Sequence, residues 1–154
     1  MTLKRILIAV DGSPGASSAT RLGGELALGS DAEVLVVHAV PLPPIVVGGD
    51  QDIYDRSLEY LELTAEAAVA AAVEILESMD VKSESIIKPG SPADVILSIA
   101  ETRDVDAIVV GHRGYGAVRR FIMGSVSSKL AHHARCAVVL APVPESSSHD
   151  LSVG

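Results

Sequence analysis

The sequence predicts a single doubly wound α/β domain: five parallel strands in the order 3-2-1-4-5, with helices on both faces. Three observations carry this. Short apolar runs alternate with helical patterns along the chain, as in successive βαβ units. Each run is apolar at consecutive positions, as a strand covered on both faces requires. The apolar content is 48 % of the 154 residues and is supplied by Ala, Val, Ile and Leu, with 3 % aromatics and no Trp, which suits helices packed on a parallel sheet. Right-handed crossovers leave few topologies, and a doubly wound sheet is the common one.

The elements follow in order. Ile6 to Val10 is the first strand, closed by Asp11-Gly12-Ser13-Pro14. Ser at a cap and Pro at the first helical position open a helix to about Leu28. Glu33 to Val40 is the second strand, stopped by Pro41, and residues 41–50 are a Pro- and Gly-rich loop. Asp52 to Met79 is a long helix in which Leu58, Leu61, Ala65, Ala68, Ala72 and Leu76 make one apolar stripe. Val81 to Lys88 is the third strand. Gly90-Ser91-Pro92 repeats the cap signal before a helix from Ala93 to Thr102, and Asp106 to Val110 is the fourth strand. A glycine-bearing basic loop, Gly111 to Gly124, leads to a helix from Ser125 to Ala134 and a fifth strand, Ala137-Val138-Val139-Leu140. Residues 1–144 are expected to form the domain and 145–154 a polar, disordered tail.

Composition excludes several functions. A net charge of −8 argues against general nucleic-acid binding. Cys136 is the only cysteine, so no internal disulfide forms, as in a reducing cytosol. The N-terminus lacks the apolar core and cleavage site of a signal peptide, and the apolar runs fall short of the ~20 residues of a membrane helix. The expected location is the cytoplasm.

In a doubly wound sheet the ligand sits beyond the carboxyl ends of the strands, where the winding reverses. Two strand ends carry polar chemistry there: Asp11 after the first and Gly111 after the fourth. Gly111, Gly114, Gly116 and Gly124 allow tight turns and close backbone approach. Ser125, Val126 and Ser127 begin a helix whose free N–H groups attract anions. From Ala107 to Val143 there is no Asp or Glu, whereas Arg113, Arg119, Arg120, Lys129 and Arg135 are present. Such a stretch complements two or three phosphates; the alternative is a solvated or partner-docking basic face. The loop has neither the Gly-Lys-Ser/Thr of a P-loop nor the position of a dinucleotide fingerprint.

Gly111, two residues, Gly114, nine residues, Gly124-Ser125 resembles the nucleotide motif of ATP-binding universal stress proteins. Ile6 to Ser13 resembles that family's first strand and turn, Val36 to Val40 its second strand, Gly90 to Ala93 its third helix start and Val138 to Pro142 its last strand. The resemblance implies ATP between the first and fourth strands, and ATP is expected to bind with Mg2+. Ala9, Val10 and Asp11 would line the adenosine, Asp11 facing the ribose hydroxyls or magnesium. Val40 would offer backbone groups to the adenine. Gly111, Gly114, Gly124, Ser125, Val126 and Ser127 would hold ribose and phosphates; Arg113 matches no fixed residue of the family and is expected at the nucleotide as a cation of the basic loop. It also implies a homodimer paired through Ala137, Val138, Val139 and Leu140, an apolar edge in a monomer.

No protein metal site is expected. Adjacent His132 and His133 point about 100° apart on a helix, and Cys136 does not join them without help. His38, in a buried strand, reads as a satisfied core histidine, and His112 stands at the mouth of the site. The expected function is a nucleotide-dependent stress-response regulator. The alternatives are a slow ATPase, an autophosphorylating protein with Ser125 or Ser127 as acceptor, and a non-catalytic docking dimer.

Overall fold

In the computed structural model, which describes residues 2–112 and 124–142, strands and helices alternate from end to end. They are β1 (Arg5–Ala9), α1 (Pro14–Ser30), β2 (Glu33–Val40), α2 (Gln51–Ser78), β3 (Ser83–Pro89), α3 (Pro92–Thr102), β4 (Ala107–Gly111), α4 (Ser125–His133) and β5 (Ala137–Ala141). The strands form one parallel sheet in the order β3-β2-β1-β4-β5, as expected from the sequence.

Alternation within each strand divides the core in two. Ile6, Ile8, Val34 and Val36 face Ala16, Ala19 and Ala27 of α1 and Val69, Ala72 and Leu76 of α2. Leu7, Leu35, Val37 and Ile108 face Val95, Ile96 and Ile99 of α3 and Leu130 of α4. Ile6, Leu7, Ile8 and Ile108 are wholly inaccessible to solvent, and each such side chain contributes about 1.5–3 kcal/mol of transfer free energy. The chain winds from β1 through β2 to β3 under α1 and α2. It then crosses to the far side of β1 and continues through β4 to β5 under α3 and α4. The winding therefore reverses between β1 and β4.

Local chemistry sets the helix starts. Ser13 caps α1, its hydroxyl accepting from the Ala16 N–H at 3.3 Å, with Pro14 at the first position. The helix runs two residues past the expected end and stops at Asp31 in the left-handed conformation, φ 56°. Asp50 caps α2 by accepting from the Asp52 N–H at 2.9 Å. The apolar stripe of α2 is core only in its second half. Ala65, Ala68, Ala72 and Leu76 are buried, whereas Leu58 and Leu61 are only half-buried. At 1.5 Å per residue this helix spans about 42 Å, and its first four turns bury no side chain.

The two sheet edges differ. β3 carries Ser83, Glu84, Ser85 and Lys88 and ends on Pro89, a protected edge of charges and proline. β5 is Ala-Val-Val-Leu-Ala, with Val138, Val139 and Leu140 half-buried. At the amino ends of the strands, the Asp106 carboxylate accepts from the backbone N–H groups of Lys4 and Arg5 at 2.8 and 2.9 Å. These bonds hold its pKa below the usual aspartate value. The tail from residue 145 lies outside the described residues.

Candidate functional site

A cleft of about 250 Å³ opens at the carboxyl ends of β1, β2 and β4, where the winding reverses. Its apolar surface comes from Ala9, Val37, Ala39 and Val110 at the strand ends and from Pro92 and Ile96, one turn apart on α3. Ser13 and Ala16 of α1 and Gly124 to Ser127 of α4 line it too. A flat apolar group and an anionic group can thus be held side by side: the first between strand ends and α3, the second at α4.

Most of the residues expected at the site meet here. Ala9, Val10, Asp11, Gly111, Gly124, Ser125, Val126 and Ser127 all line the cleft. Arg113 and Gly114 lie outside the described residues, as do Gly116, Arg119 and Arg120. Val40 is not brought to the cleft. Its carbonyl accepts from the Gly90 N–H at 2.9 Å, beside its partner Pro89 on β3. Successive residues of a strand turn their backbone groups to opposite neighbours, and Ala39 lines the cleft in place of Val40.

Asp11 is exposed at the turn after β1. Its Oδ1 accepts from the Ser13 N–H at 2.9 Å, and Gly12 takes φ +82° between them. This two-residue loop aims the carboxylate from a fixed backbone.

The glycines at the two ends of the basic loop have different surroundings. A Cβ on Gly111 would stand 2.6 Å from the carbonyl carbon of Gly15 and 2.7 Å from its oxygen. Glycine there lets the end of β4 press against the first turn of α1. At Gly124 an added Cβ meets no atom of the described residues within 4 Å. Its backbone, φ −62° and ψ 159°, suits any residue.

Gly124 is the N-cap of α4, and among the described residues no side chain caps this helix. The first intrahelical donor is the Ser128 N–H, to the Gly124 carbonyl at 2.9 Å. The N–H groups of Ser125, Val126 and Ser127 therefore lie in the turn that has no helical acceptors, at the positive end of the helix dipole. α1 differs, because Ser13 has already engaged its first turn. The Ser127 hydroxyl is buried and donates to the Gly111 carbonyl at 3.3 Å. It fastens α4 to β4, while Ser125 is exposed.

Two of the expected cations stand apart from the cleft. Arg135 lies at the amino end of β5 and pairs with Glu101 at 3.2 Å, and Lys129 is exposed on the second turn of α4 and does not line the cleft. Among the described residues no group of three or more His, Cys, Asp or Glu could hold a metal ion. His132 Nδ1 donates to the Ser128 carbonyl at 2.8 Å, and burial pushes the Cys136 thiol up.

His38 is the contributor least visible in the sequence. It is buried, it lines the cleft, and its Nδ1 lies 2.7 Å from the Val10 carbonyl oxygen. Val37, Ala39, Pro92, Ile96 and Val110 were likewise unanticipated. Their only signal is position: alternate residues at the ends of inner strands, and one face of the helix after the third strand.

The model of the universal stress protein family matches residues 2–142. A universal stress protein of Thermus aquaticus is 35 % identical over 140 residues, covering 89 % of this chain and 97 % of that one. The chain belongs to the universal stress protein family. Among solved structures, the universal stress protein UspA from Lactobacillus plantarum shares the fold with a TM-score of 0.82 at 22 % identity, covering 92 % of this chain and 99 % of that one. The universal stress protein from Archaeoglobus fulgidus in complex with dAMP matches with a TM-score of 0.67 at 27 % identity, over 92 % and 99 % of the two chains. No described helix of this universal stress protein is long and apolar enough to cross a membrane.

Proposed function

We propose that this universal stress protein binds ATP in the cleft between β1 and β4 and acts as a nucleotide-dependent regulatory dimer. The observation that carries this reading is the space that the described residues leave at Gly124, beside a first turn of α4 that no described side chain caps. Those N–H groups form an anion site, and a Cβ would intrude where the anion stands. The apolar surface from Ala39, Val37 and Ile96 suits a purine. The likeness to the Archaeoglobus protein in complex with dAMP supports an adenine nucleotide. Asp11 would face the ribose hydroxyls, since a carboxylate beside phosphates is repelled unless a cation intervenes. Magnesium would ride on the phosphates, because the described residues provide no metal cage.

Holding, not cleaving, is the role this cleft supports. Ser127 is a poor phosphate acceptor because its hydroxyl is buried and already donated. Exposed Ser125 is the acceptor to test for autophosphorylation, by mass spectrometry after incubation with ATP. The dimer would form through β5, the uncharged edge, and sedimentation at micromolar concentration is expected to give twice the chain mass. Acid extraction of the purified protein followed by chromatography tests the ligand. ATP or ADP near one per chain is the expected result. An empty protein that also shows no heat on titration with magnesium and ATP contradicts the reading.

A further inference from the structure

The pairing of β1 with β2 keeps regular register as far as Ala9 and Val37. One residue later the Val10 N–H still donates to the Val37 carbonyl at 2.9 Å. The Val10 carbonyl, however, is held by a side chain, the His38 imidazole, at 2.7 Å. A carbonyl only accepts, so Nδ1 carries the proton in this contact. Val10 immediately precedes Asp11, and the two share a peptide plane. Fixing that carbonyl fixes the plane, and with it the direction in which the Asp11 backbone leaves the sheet. On the other side, the Ser13 N–H holds Asp11 Oδ1 at 2.9 Å. The carboxylate is therefore set from both sides although it stands exposed at the cleft. His38 is only 8 % exposed, so the packed side chains around it restrict the ring.

We propose that His38 is a positioning residue: through Nδ1–H it orients the Val10–Asp11 peptide and so sets the preference of the cleft for ribose over 2′-deoxyribose. This rests on the proposed placement of Asp11 at the ribose. It goes beyond that placement in assigning the selectivity to the imidazole anchor. A hydrogen bond from a sugar hydroxyl to a carboxylate depends steeply on distance and angle. A small rotation of the peptide therefore weakens the ribose contact while leaving the phosphate site at α4 intact.

The test compares affinities for ADP and 2′-deoxy-ADP, with magnesium, by calorimetry on the full chain. Melting temperature is followed in parallel. The variants are His38→Asn, His38→Gln, His38→Phe and Asp11→Ala. Asparagine places an amide N–H near the position of Nδ1, whereas glutamine places it near Nε2. In the wild type, ADP is expected to bind about tenfold tighter, the scale of one hydrogen bond to a charged group. Asp11→Ala should erase that ratio. His38→Phe and His38→Gln should also bring it close to one, and His38→Asn should restore most of it. Loss of stability in all three His38 variants with the ratio unchanged overturns the proposal, since a purely structural histidine predicts that pattern. If His38→Phe does not fold, the contrast between Asn and Gln decides alone. A wild type without ribose preference, or an Asp11→Ala variant that keeps it, refutes the placement of Asp11 itself. An Asp11→Ala loss with no loss in His38→Gln refutes only the anchor.

Discussion

Gly111 and Gly124 bound the same basic loop and belong to the same motif, yet they are glycine for opposite reasons. At Gly111 the protein itself occupies the space: a Cβ would stand 2.6 Å from the backbone of Gly15. At Gly124 nothing in the described structure occupies it, and the backbone is ordinary. A glycine that the fold requires carries no information about a ligand. A glycine that the fold does not require, beside a helix start without a side-chain cap, does. Substitutions at the two should therefore separate stability from affinity.

The largest stability effect is expected at Gly111. Gly111→Val forces side-chain atoms against the first turn of α1, an overpacking with little room to relax. It should cost about 3 kcal/mol, seen as a lower midpoint in urea denaturation. A variant as stable as the wild type would show that α1 and β4 are not in contact there. Ser127→Ala comes next. It removes the buried hydroxyl donor to Gly111 and should cost about 1 kcal/mol, with ATP affinity little changed. A large affinity loss without a stability loss would make Ser127 a ligand-binding side chain instead.

The far end of the same sheet supplies a contrast controlled by pH. The Lys4 and Arg5 N–H groups hold the Asp106 pKa below its ordinary value, so folding is favoured by the ionised form. That contribution is present above the usual aspartate range and is lost as pH falls through the lowered folded value. Asp106→Asn should flatten the acid limb of a stability-against-pH curve below about pH 4 and leave nucleotide binding unchanged. The smallest stability effect is expected at Gly124. Gly124→Asp places a good capping residue on α4, so stability should change by less than about 0.5 kcal/mol, and in the favourable direction.

The fold was legible because it depends on pattern. Continuous apolar runs, cap signals at Ser13 and Ser91 and a switch-point rule suffice for the sheet order and for one end of the cleft. Frame and phase were not legible. Whether Ala39 or Val40 faces the cleft depends on which residue of β2 pairs towards β3, and adjacent strand residues look alike in sequence. The stripe of α2 continues through Leu58 and Leu61 with no sign that burial begins only at Ala65. Ser127 shares the start of α4 with Ser125 and Val126, but one further step around the helix turns its hydroxyl inward to the Gly111 carbonyl. His38 looked like core, and it is buried, but its partner is the one carbonyl next to Asp11.

The most direct test titrates magnesium with ATP, and separately adenosine, into the wild type and Gly124→Asp by calorimetry. The carboxylate would occupy the N–H groups of α4 and repel phosphate. The expected result is at least a tenfold loss of ATP affinity, adenosine affinity unchanged and the fold intact. Equal ATP affinity in the two proteins would place the phosphates elsewhere and contradict the assignment of this site.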